Sequence, residues 1–337
     1  MSLQRTFEPL PRTRRGWIAL VVTGILLVIA FALVVRFYDV EGGSTVSGAD
    51  TEVTGQEAIF ITVEPAAVDA NANETRVHLS FRPVGDDYVG SDSRLTRNVR
   101  ITVSDVNGVT EYKFPAGTFL TQRDQVLVMD GETAAYPFDL HSAKLLFAAD
   151  TYTRNSDGSF ASDGQIPIGL EGEGGVNGWD TNIDLFGDLS QDELASGVPA
   201  MALLTYTRAF STQVFAMLIL AIAGVLALLA LGTAALVQAD RRPAEAALLS
   251  WTAALLFALP ALRNYLPNGP PFGASIDMYA YLWFMLAAGA AAVLVIVGWN
   301  GQKLAERRRL KAQAQRDQDE RNQDERDQDR QGAPHGA

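Results

Sequence analysis

Cysteine is absent from this sequence, and histidine is rare, with 3 in 337 residues. Without cysteine the chain can form neither disulfides, nor thiolate nucleophiles, nor Cys-ligated zinc or iron–sulfur centres. The only histidines, His78, His141 and His335, also argue against a three-histidine metal site. Nucleophile elbows, phosphate-binding glycine loops, zincin helices and dinucleotide fingerprints are missing as well. The sequence therefore indicates no catalytic residue, metal or cofactor, and it favours a protein that is not an enzyme.

Positive charge is in deficit, with 27 lysines and arginines against 39 aspartates and glutamates and a net charge of -12. A negative surface does not attract phosphate backbones, so we expect no nucleic-acid partner. At the same time 48% of the residues are hydrophobic. A chain that is both this acidic and this apolar must keep the two kinds of residue in separate regions.

Four long apolar runs predict transmembrane helices over residues 16–35, 211–237, 244–262 and 279–299. About 20 helical residues, each rising about 1.5 Å, cross a hydrocarbon layer that is about 30 Å thick. The first run could instead be a signal peptide, but it is longer than a signal core and no cleavage site follows Val35, so we expect an uncleaved anchor. The third run is the shortest, and a buried soluble helix is the alternative there.

Cations near the apolar runs predict the orientation. Arginines precede the first run between residues 5 and 15, Arg241 and Arg242 separate the second and third, and five basic residues follow the fourth between residues 303 and 311. Because basic flanks stay in the cytoplasm, residues 1–15 and 300–337 should be cytoplasmic. Residues 36–210 would then be extracytoplasmic, in a multi-pass protein of the cell (cytoplasmic) membrane. This segment carries 27 of the 39 acidic residues, and we expect it to project from the bilayer.

The extracytoplasmic segment alternates apolar and polar residues, which is typical of half-buried strands. We predict strands at Ala58–Val63, Val77–Phe81, Val99–Val103, Gly108–Phe114, Gln125–Met129, His141–Ala149, Gln165–Leu170, Asn182–Phe186 and Met201–Thr207. Short strands joined by turns such as Asn107-Gly108 indicate an antiparallel β-sandwich over residues 57–210, with residues 36–56 as its tether. The predicted fold is thus a membrane α-helical protein with four transmembrane helices plus an all-β extracytoplasmic antiparallel sandwich.

The C-terminal tail repeats a charged pentad, RDQDE, RNQDE and RDQDR, over residues 316–330. It has almost no apolar residue with which to build a core. We expect a disordered tail, with a solvated helix as the alternative.

A compact motif, Tyr136-Pro137-Phe138-Asp139, precedes the strand that begins near His141. Proline fixes one backbone torsion and aspartate can bond nearby amides, so the motif indicates the start of a strand. The segment YPFDLHSAKLLF also resembles the aromatic-Pro-Phe-Asp loop of pentameric ligand-gated channels, which lies between an extracellular sandwich and pore helices. Those channels have four spans after the sandwich, where this chain has three. The resemblance implies a channel as an alternative function.

The connection between the third and fourth runs, residues 263–278, is predicted to be a rigid external turn. It is shaped by Pro267, Pro270, Pro271 and Gly273. Arg263 and Asp277 stand at the two helix ends, where an ion pair across the turn would reduce the cost of placing charges near hydrocarbon. Stapling of the helical hairpin is the simplest reading, and a contact with the sandwich or with an anionic ligand is the alternative.

Four features occur together in this sequence. They are the anchor, the sandwich with its YPFD motif, the strand that reaches the second run through Arg208, and the R-N-x-x-P-x-x-P-P-x-G-x-x-x-D turn before the aromatic run with Trp283. In this combination the chain resembles the bacterial membrane-protein family of domain of unknown function 4436. The alanine, arginine and aspartate content suits an actinobacterial type. The resemblance spans residues 17–300 and implies family-pattern positions at Tyr136, Pro137, Asp139, Arg263, Pro267, Pro271, Gly273 and Asp277. It implies no activity.

We therefore expect a non-enzymatic integral membrane protein whose sandwich is a binding or assembly module for an envelope partner or ligand. Its partners would be the lipid bilayer and a membrane or envelope protein, or further copies of the chain. Gly224, Gly232 and Gly289 would allow close helix approach. The candidate contact residues are Tyr136, Asp139, Arg208, Arg263 and Asp277. The alternatives are a channel or transporter with a ligand-sensing sandwich, and a carboxylate-dependent envelope hydrolase, which needs two acids within reach in a cleft.

Overall fold

The computed structural model describes residues 45–47, 58–105, 108–186 and 199–332, together with Ile25 and Ala32. The chain divides into two units, Met1–Phe215 and Ala216–Ala337. The helix predicted over residues 16–35 lies outside the described residues except for Ile25 and Ala32, which are both helical. Most of the predicted tether, residues 36–56, also lies outside them.

Within the described residues of the first unit the chain forms twelve strands, which we number along the sequence. They are β1 Thr45–Ser47, β2 Ala58–Asp69, β3 Glu74–Val84, β4 Val99–Asp105, β5 Gly108–Phe114, β6 Arg123–Val128, β7 Asp130–Gly131, β8 Leu140–Arg154, β9 Phe160–Gln165, β10 Ile168–Gly172, β11 Trp179–Phe186 and β12 Ala200–Arg208. All nine predicted strands correspond to strands in this set, which confirms the period-two reading of the sequence.

These strands form two sheets in a sandwich-like arrangement. The larger sheet has the order β1-β11-β12-β8-β4-β5, with β7 and β9 also paired to β8, and the smaller has the order β10-β2-β3-β6. Most pairs are antiparallel, as predicted, but β1 runs parallel to β11 and β10 runs parallel to β2. Because β1 lies at residues 45–47, part of the predicted tether is an edge strand rather than a linker.

The core lies between the alternating inner faces of the strands. Along β4, Val99, Ile101 and Val103 are buried while the residues between them are only partly buried. Each fully buried aliphatic side chain of this kind contributes about 1.5–3 kcal/mol to folding. The two sheets also share a polar link, because the Thr75 hydroxyl on β3 donates a hydrogen bond to the Tyr206 hydroxyl on β12 at 3.0 Å. Burial raises the pKa of Tyr206 to about 12, so the phenol stays neutral.

The predicted strand Gln165–Leu170 is in fact two strands in different sheets. β9 ends at Gln165, and β10 begins at Ile168 in the smaller sheet. Pro167 stands at the crossing and has no N–H to donate to a ladder. Its carbonyl accepts a hydrogen bond from the Ile59 amide at 2.9 Å, which fixes the start of β10 against β2.

The second unit is helical, and its first helix begins within the last residues of the first unit. Three helices in the described residues are long and apolar enough to cross a membrane. They are α1 Phe210–Gln238, α2 Ala246–Asn264 and α3 Leu282–Gly332, and a π-turn at Asp277–Tyr281 leads into α3. α2 continues through Pro260 for one more turn. Both ends of α1 and α2, and the start of α3, lie within three residues of the ends of the predicted transmembrane helices.

α3 continues beyond its apolar stretch to Gly332. This part of the tail is therefore helical, which is the alternative to the expected disorder. Neither glycine nor proline occurs between Gln302 and Gln331. Alanine, leucine, glutamate, lysine, arginine and glutamine dominate its first half, and these residues have high intrinsic helix propensity. The absence of an apolar stripe therefore did not prevent a helix.

Small residues bring the helices of the second unit together. A buried cluster joins Ala230 and Ala234 of α1, Leu255 of α2, and Ala291 and Val295 of α3. A Cβ on Gly224 would lie 3.0 Å from the Phe284 ring, so this glycine is used for packing within the chain. By contrast, Cβ atoms built on Gly232 and Gly289 would meet no described atom within 4 Å.

Candidate functional site

The YPFD motif lies immediately before the long central strand β8. Asp139 directly precedes Leu140 and continues the alternation of side chains between the two faces of the strand. A short 3-10 turn at Thr133–Ala135 precedes the motif, and the Tyr136-Pro137 peptide bond is cis. Asp139 and His141 point inward and are fully buried, whereas Phe138 and Leu140 are more than half exposed. Residues two apart on a strand share a face, so Asp139 and His141 are placed side by side.

Arg208 meets these two residues from β12, the neighbouring strand, and the three form what we call the Asp139 cluster. The Arg208 Nε donates to Asp139 Oδ1 at 3.0 Å, and Arg208 Nη2 donates to Asp139 Oδ2 at 3.1 Å. His141 Nε2 lies 2.9 Å from Asp139 Oδ2. The side chains of the three residues are at most 2% exposed. Such a two-pronged contact is the strongest form of arginine–carboxylate pairing.

Aromatic rings enclose the guanidinium of the Asp139 cluster. Its Cζ lies 4.2 Å from the centre of the Trp179 ring and 4.9 Å from that of Tyr136. Trp179 is directly opposite Arg208 in the β11–β12 ladder, and its ring meets the His141 ring edge to face at 5.7 Å. Gly131 lies against His141, because a Cβ there would be 2.2 Å from the imidazole Nδ1. Only glycine fits at this point of β7.

Two opposing effects act on the Asp139 carboxyl. Burial favours its neutral form, but hydrogen bonds from His141 and Arg208 favour the carboxylate, and the net effect is a lowered pKa for Asp139. Arg208 Nη1 and His141 Nδ1 are buried and have no hydrogen-bond partner among the described residues. Because the cluster is closed to solvent, it cannot reach a substrate as it stands. What it does is fasten β8 to β12.

The junction between β12 and α1 contains a single residue, Ala209, and is held by hydrogen bonds. The Ala209 amide and the Thr212 hydroxyl both donate to the Gly178 carbonyl, at 3.1 and 3.2 Å. The Gln213 side-chain amide donates to the Arg208 carbonyl at 3.0 Å. The first turn of α1 is thus tied to the loop before β11 and to the residue that anchors the Asp139 cluster.

A cleft opens on the other edge of β8, where its pairing is interrupted. β7 pairs with His141 and Ser142, and β4 pairs with β8 from Leu146 onward. Ala143, Lys144 and Leu145 therefore have no strand partner on this edge in the described part of the chain. The cleft has a volume of about 360 Å³ and is lined by Val128, Met129, Asp130, Ser142, Ala143 and Lys144. We call it the β8 cleft.

The β8 cleft has an apolar floor and a polar rim. Met129 and Ala143 are buried, whereas Asp130 and Lys144 are exposed and of opposite charge. Half of the six lining residues are apolar and half are polar or charged, and the volume lies in the range of small-ligand pockets. The arrangement can hold a small polar molecule or a side chain of a partner.

In the second unit, the turn after α2 is organised by Arg263. Its Nε and Nη2 donate to the two carboxylate oxygens of Asp277 at 3.1 and 2.8 Å. Nη2 also donates to the carbonyls of Pro270 and Pro271 at 2.9 and 3.0 Å, and Cζ lies 4.3 Å from the centre of the Phe272 ring. The expected ion pair across the turn is therefore confirmed.

Gly273 completes this arrangement. It has a φ of 91°, in the region that favours glycine, and its amide donates to Asp277 Oδ2 at 3.0 Å. The two prolines contribute their carbonyls, which a proline keeps although it has no N–H to donate. Pro267 lies earlier in the same turn. We call Arg263, Pro270, Pro271, Gly273 and Asp277 the turn cluster.

The predicted candidate residues thus fall into two separate groups. Tyr136, Asp139 and Arg208 come together in the first unit, and Arg263 and Asp277 come together in the second. Sequence reasoning did not assign His141 and Trp179 to the site. The i, i+2 spacing of Asp139 and His141 could have identified the histidine, but nothing in the sequence places Trp179 opposite Arg208.

An envelope hydrolase would need two acidic side chains of the sandwich close together, one of them able to act as a general acid. Glu111 and Asp150 both contact Arg100, at 3.8 and 2.5 Å, so these two acids come close together on the larger sheet. A hydrogen bond from Lys113 lowers the pKa of Glu111. A hydrogen bond from the Ser159 hydroxyl likewise lowers the pKa of Asp157. A general acid needs a raised pKa, so Glu111 and Asp157 do not have the environment of one.

Comparison with known proteins divides the chain at about the same point as the fold does. Residues 208–302 match a family described as Domain of unknown function (DUF8686). Residues 49–197 match Domain of unknown function (DUF4436), which confirms the expected resemblance for the strand region. No curated protein matches the chain. The sequence resemblance assigns the proline-rich turn at residues 263–278 to DUF4436, but the turn lies in the segment that matches DUF8686. The strand region is therefore similar to DUF4436 and the helical region to DUF8686, two families whose descriptions name no activity.

Proposed function

We propose that the chain is a multi-pass protein of the bacterial cytoplasmic membrane, with its sandwich outside the cell and serving as a binding module for an envelope partner or ligand. The three apolar helices support the membrane assignment. Basic residues support the orientation, because the α1–α2 loop holds Arg241 and Arg242 and α3 carries Lys303 to Lys311 beyond its apolar part. Three crossings place both basic segments on the side opposite the sandwich.

Aromatic residues at the opposite ends of the helices agree with this orientation. Tyr265, Phe272, Tyr279 and Trp283, around the turn cluster, are all more than 60% exposed. Aromatic side chains concentrate at the level of lipid headgroups. The turn would then lie at the outer surface of the membrane.

The β8 cleft is the observation that carries the binding assignment. It interrupts the pairing of the central strand of the larger sheet and leaves Asp130 and Lys144 exposed at its rim. β8 is also the strand that the Asp139 cluster fastens to β12, and β12 leads directly into α1. A partner held at the cleft would be held by a strand that is bonded to the one leading into α1.

We expect a photoreactive amino acid at position 144 to crosslink a partner in intact cells. The same amino acid at Ser91, an exposed loop position outside the cleft, serves as the matched control. Crosslinked products are purified in mild detergent and identified by mass spectrometry. An adduct at position 144 and none at position 91 supports the proposal. Recovery of the chain alone, as a monomer, or equal adducts at both positions would contradict it.

The orientation is testable by labelling, since the chain has no cysteine to give background. We expect Ser156→Cys, in an exposed turn of the sandwich, to react with a membrane-impermeant maleimide on intact cells. Gln313→Cys, on the exposed α3 extension, should react only after the cells are permeabilised. The reverse labelling pattern would contradict an external sandwich.

A channel or transporter is the second candidate, favoured by the bond between the YPFD aspartate and Arg208 immediately before α1. That bond would transmit a change at the sandwich to the helix. Against it, neither α1 nor the first 19 residues of α3 contain an ionisable side chain with which to line a polar path. Flux of ions or solutes through liposomes that contain the pure protein would favour this candidate over a binding module.

A further inference from the structure

The loop that joins α1 to α2, residues 239–245, lies between two adjoining cavities of the second unit. The larger, about 940 Å³, is formed by this loop, the end of α1 and residues 297–309 of α3, and we call it the loop groove. The smaller, about 390 Å³, lies between α1 and α2, and we call it the helix cavity. Arg242 and Pro243 line both cavities, so the two meet at this loop.

The walls of the loop groove are fixed by side-chain amides. The Gln238 amide donates to the Leu294 carbonyl at 2.9 Å, and the Gln302 oxygen accepts a hydrogen bond from the Ala244 amide at 2.8 Å. Gly298 allows the close approach of α1 and α3, because a Cβ there would lie 2.6 Å from the Val237 side chain. These contacts hold the walls of the loop groove in place, so its shape does not depend on the loop alone.

Positive charge predominates around the loop groove. Residues 239–245 and 303–311 together contain seven basic and three acidic side chains. Arg242 and Arg309 line the groove, along with Asp240 and Glu306. Neither arginine forms an ion pair with a side chain in the part of the chain that the structure describes. Two guanidinium groups without carboxylate partners are well suited to the oxygens of a phosphate.

The helix cavity, in contrast, is mostly apolar and reaches deeper along the helices. Its apolar lining includes Leu229, Leu248 and Trp251, and its polar members are Thr233 and, from the loop, Arg242 and Glu245. Leu229 lies nine residues before the end of α1, so it is about 13 Å further along the helix axis. Near the groove, the Lys303 ammonium lies 3.8 Å from the centre of the Trp299 ring, a pairing suited to the headgroup level of a membrane.

We propose that the loop groove and the helix cavity together bind one anionic phospholipid, with its phosphate at Arg242 and Arg309 and an acyl chain in the helix cavity. A phosphate site joined to an apolar slot fits an amphipathic lipid, whereas free phosphate would leave the slot empty. Basic pockets between transmembrane helices are suited to anionic headgroups on general grounds. The site would brace the loop that connects α1 to α2.

The test uses the full-length protein, released from nanodiscs that contain phosphatidylcholine with or without phosphatidylglycerol, and native mass spectrometry to count retained lipids. We expect the wild type to retain phosphatidylglycerol in preference to phosphatidylcholine. The variant Arg242→Ala/Arg309→Ala should bind phosphatidylglycerol more weakly by about fivefold for each arginine removed. Both side chains are exposed, so the variant should still fold.

Arg307→Ala/Arg308→Ala is the matched control, because it removes the same number of charges next to the groove at two exposed residues that do not line it. Retention of the lipid by this variant, together with its loss from Arg242→Ala/Arg309→Ala, supports the proposal. Equal loss from both variants would instead indicate diffuse surface charge and overturn it. Equal retention of the two lipids by the wild type would also overturn it. So would equal thermal stabilisation by inorganic phosphate and by phosphatidylglycerol, which would mean a site for free anions.

Discussion

Replacing Asp139 with alanine is expected to lower the free energy of unfolding of the sandwich by about 3–5 kcal/mol. The substitution leaves the Arg208 guanidinium 2% exposed, without its carboxylate and enclosed by Trp179 and Tyr136. Losing one partner of a buried pair costs more than the pair itself contributes, because the remaining charge stays desolvated. Amide hydrogen exchange of peptides from β8 and β12 in the full-length protein measures the loss.

The matched control for this prediction is Asp124→Ala, which breaks an aspartate–histidine contact of 2.6 Å on the surface. It should cost at most about 1 kcal/mol, because the Asp124 side chain is 66% exposed. The double variant Asp139→Leu/Arg208→Met should be more stable than Asp139→Ala, since it removes both buried charges. Equal costs for Asp139→Ala and Asp124→Ala would contradict the role of the Asp139 cluster.

The Asp139 cluster also has a characteristic dependence on pH. The pKa of Asp139 is lowered in the folded protein, so its stabilising contribution is complete above the unfolded pKa of about 3.9. That contribution is lost as the pH falls through the lower, folded pKa. The stability difference between the wild type and Asp139→Ala should therefore be constant above about pH 5 and shrink in stronger acid.

Much of the strand region followed from local sequence pattern, because alternation depends only on neighbouring residues. β4 and β5 were predicted from Val99, Ile101 and Val103 and from the segment Gly108–Phe114. The parallel pairing of β1 with β11 was not, since it joins residues about 137 positions apart and involves only three residues of one edge. A short edge strand in a Gly/Ser/Thr-rich segment carries no periodic signal of its own.

The two clusters differ in the same way. Arg263 and Asp277 are 14 residues apart at the ends of a predicted helical hairpin, so chain geometry alone suggested their pairing. Asp139 and Arg208 are 69 residues apart, and only the β8–β12 register brings them together. The β8 cleft could not be predicted for a related reason. The cleft exists because the pairing of β7 with β8 ends at Ser142 and the pairing of β4 with β8 starts at Leu146. The sequence of β8 alone does not show where its neighbours pair.

Arg263→Ala and Asp277→Ala are each expected to destabilise the helical hairpin of the second unit by about 2–4 kcal/mol. Arg263 donates four hydrogen bonds, to both oxygens of Asp277 and to the carbonyls of Pro270 and Pro271. Its side chain is 11% exposed and that of Asp277 is 17% exposed, so the lost bonds are only partly replaced by water. Thermal unfolding in detergent and hydrogen exchange over residues 263–281 measure the effect.

A double-mutant cycle separates the ion pair from the rest of the turn cluster. The double variant Arg263→Ala/Asp277→Ala should be less destabilised than the sum of the single variants, because each single variant already removes the bond between them. Arg263→Lys should recover little, since an ammonium cannot span both carboxylate oxygens and two carbonyls as a planar guanidinium does. Arg241→Ala, an exposed arginine of the same unit, is the matched control and should have little effect. Additive losses in the cycle would mean that the two charges do not stabilise the turn together. Arg263 would then act through the Pro270 and Pro271 carbonyls, and Asp277 through the Gly273 amide.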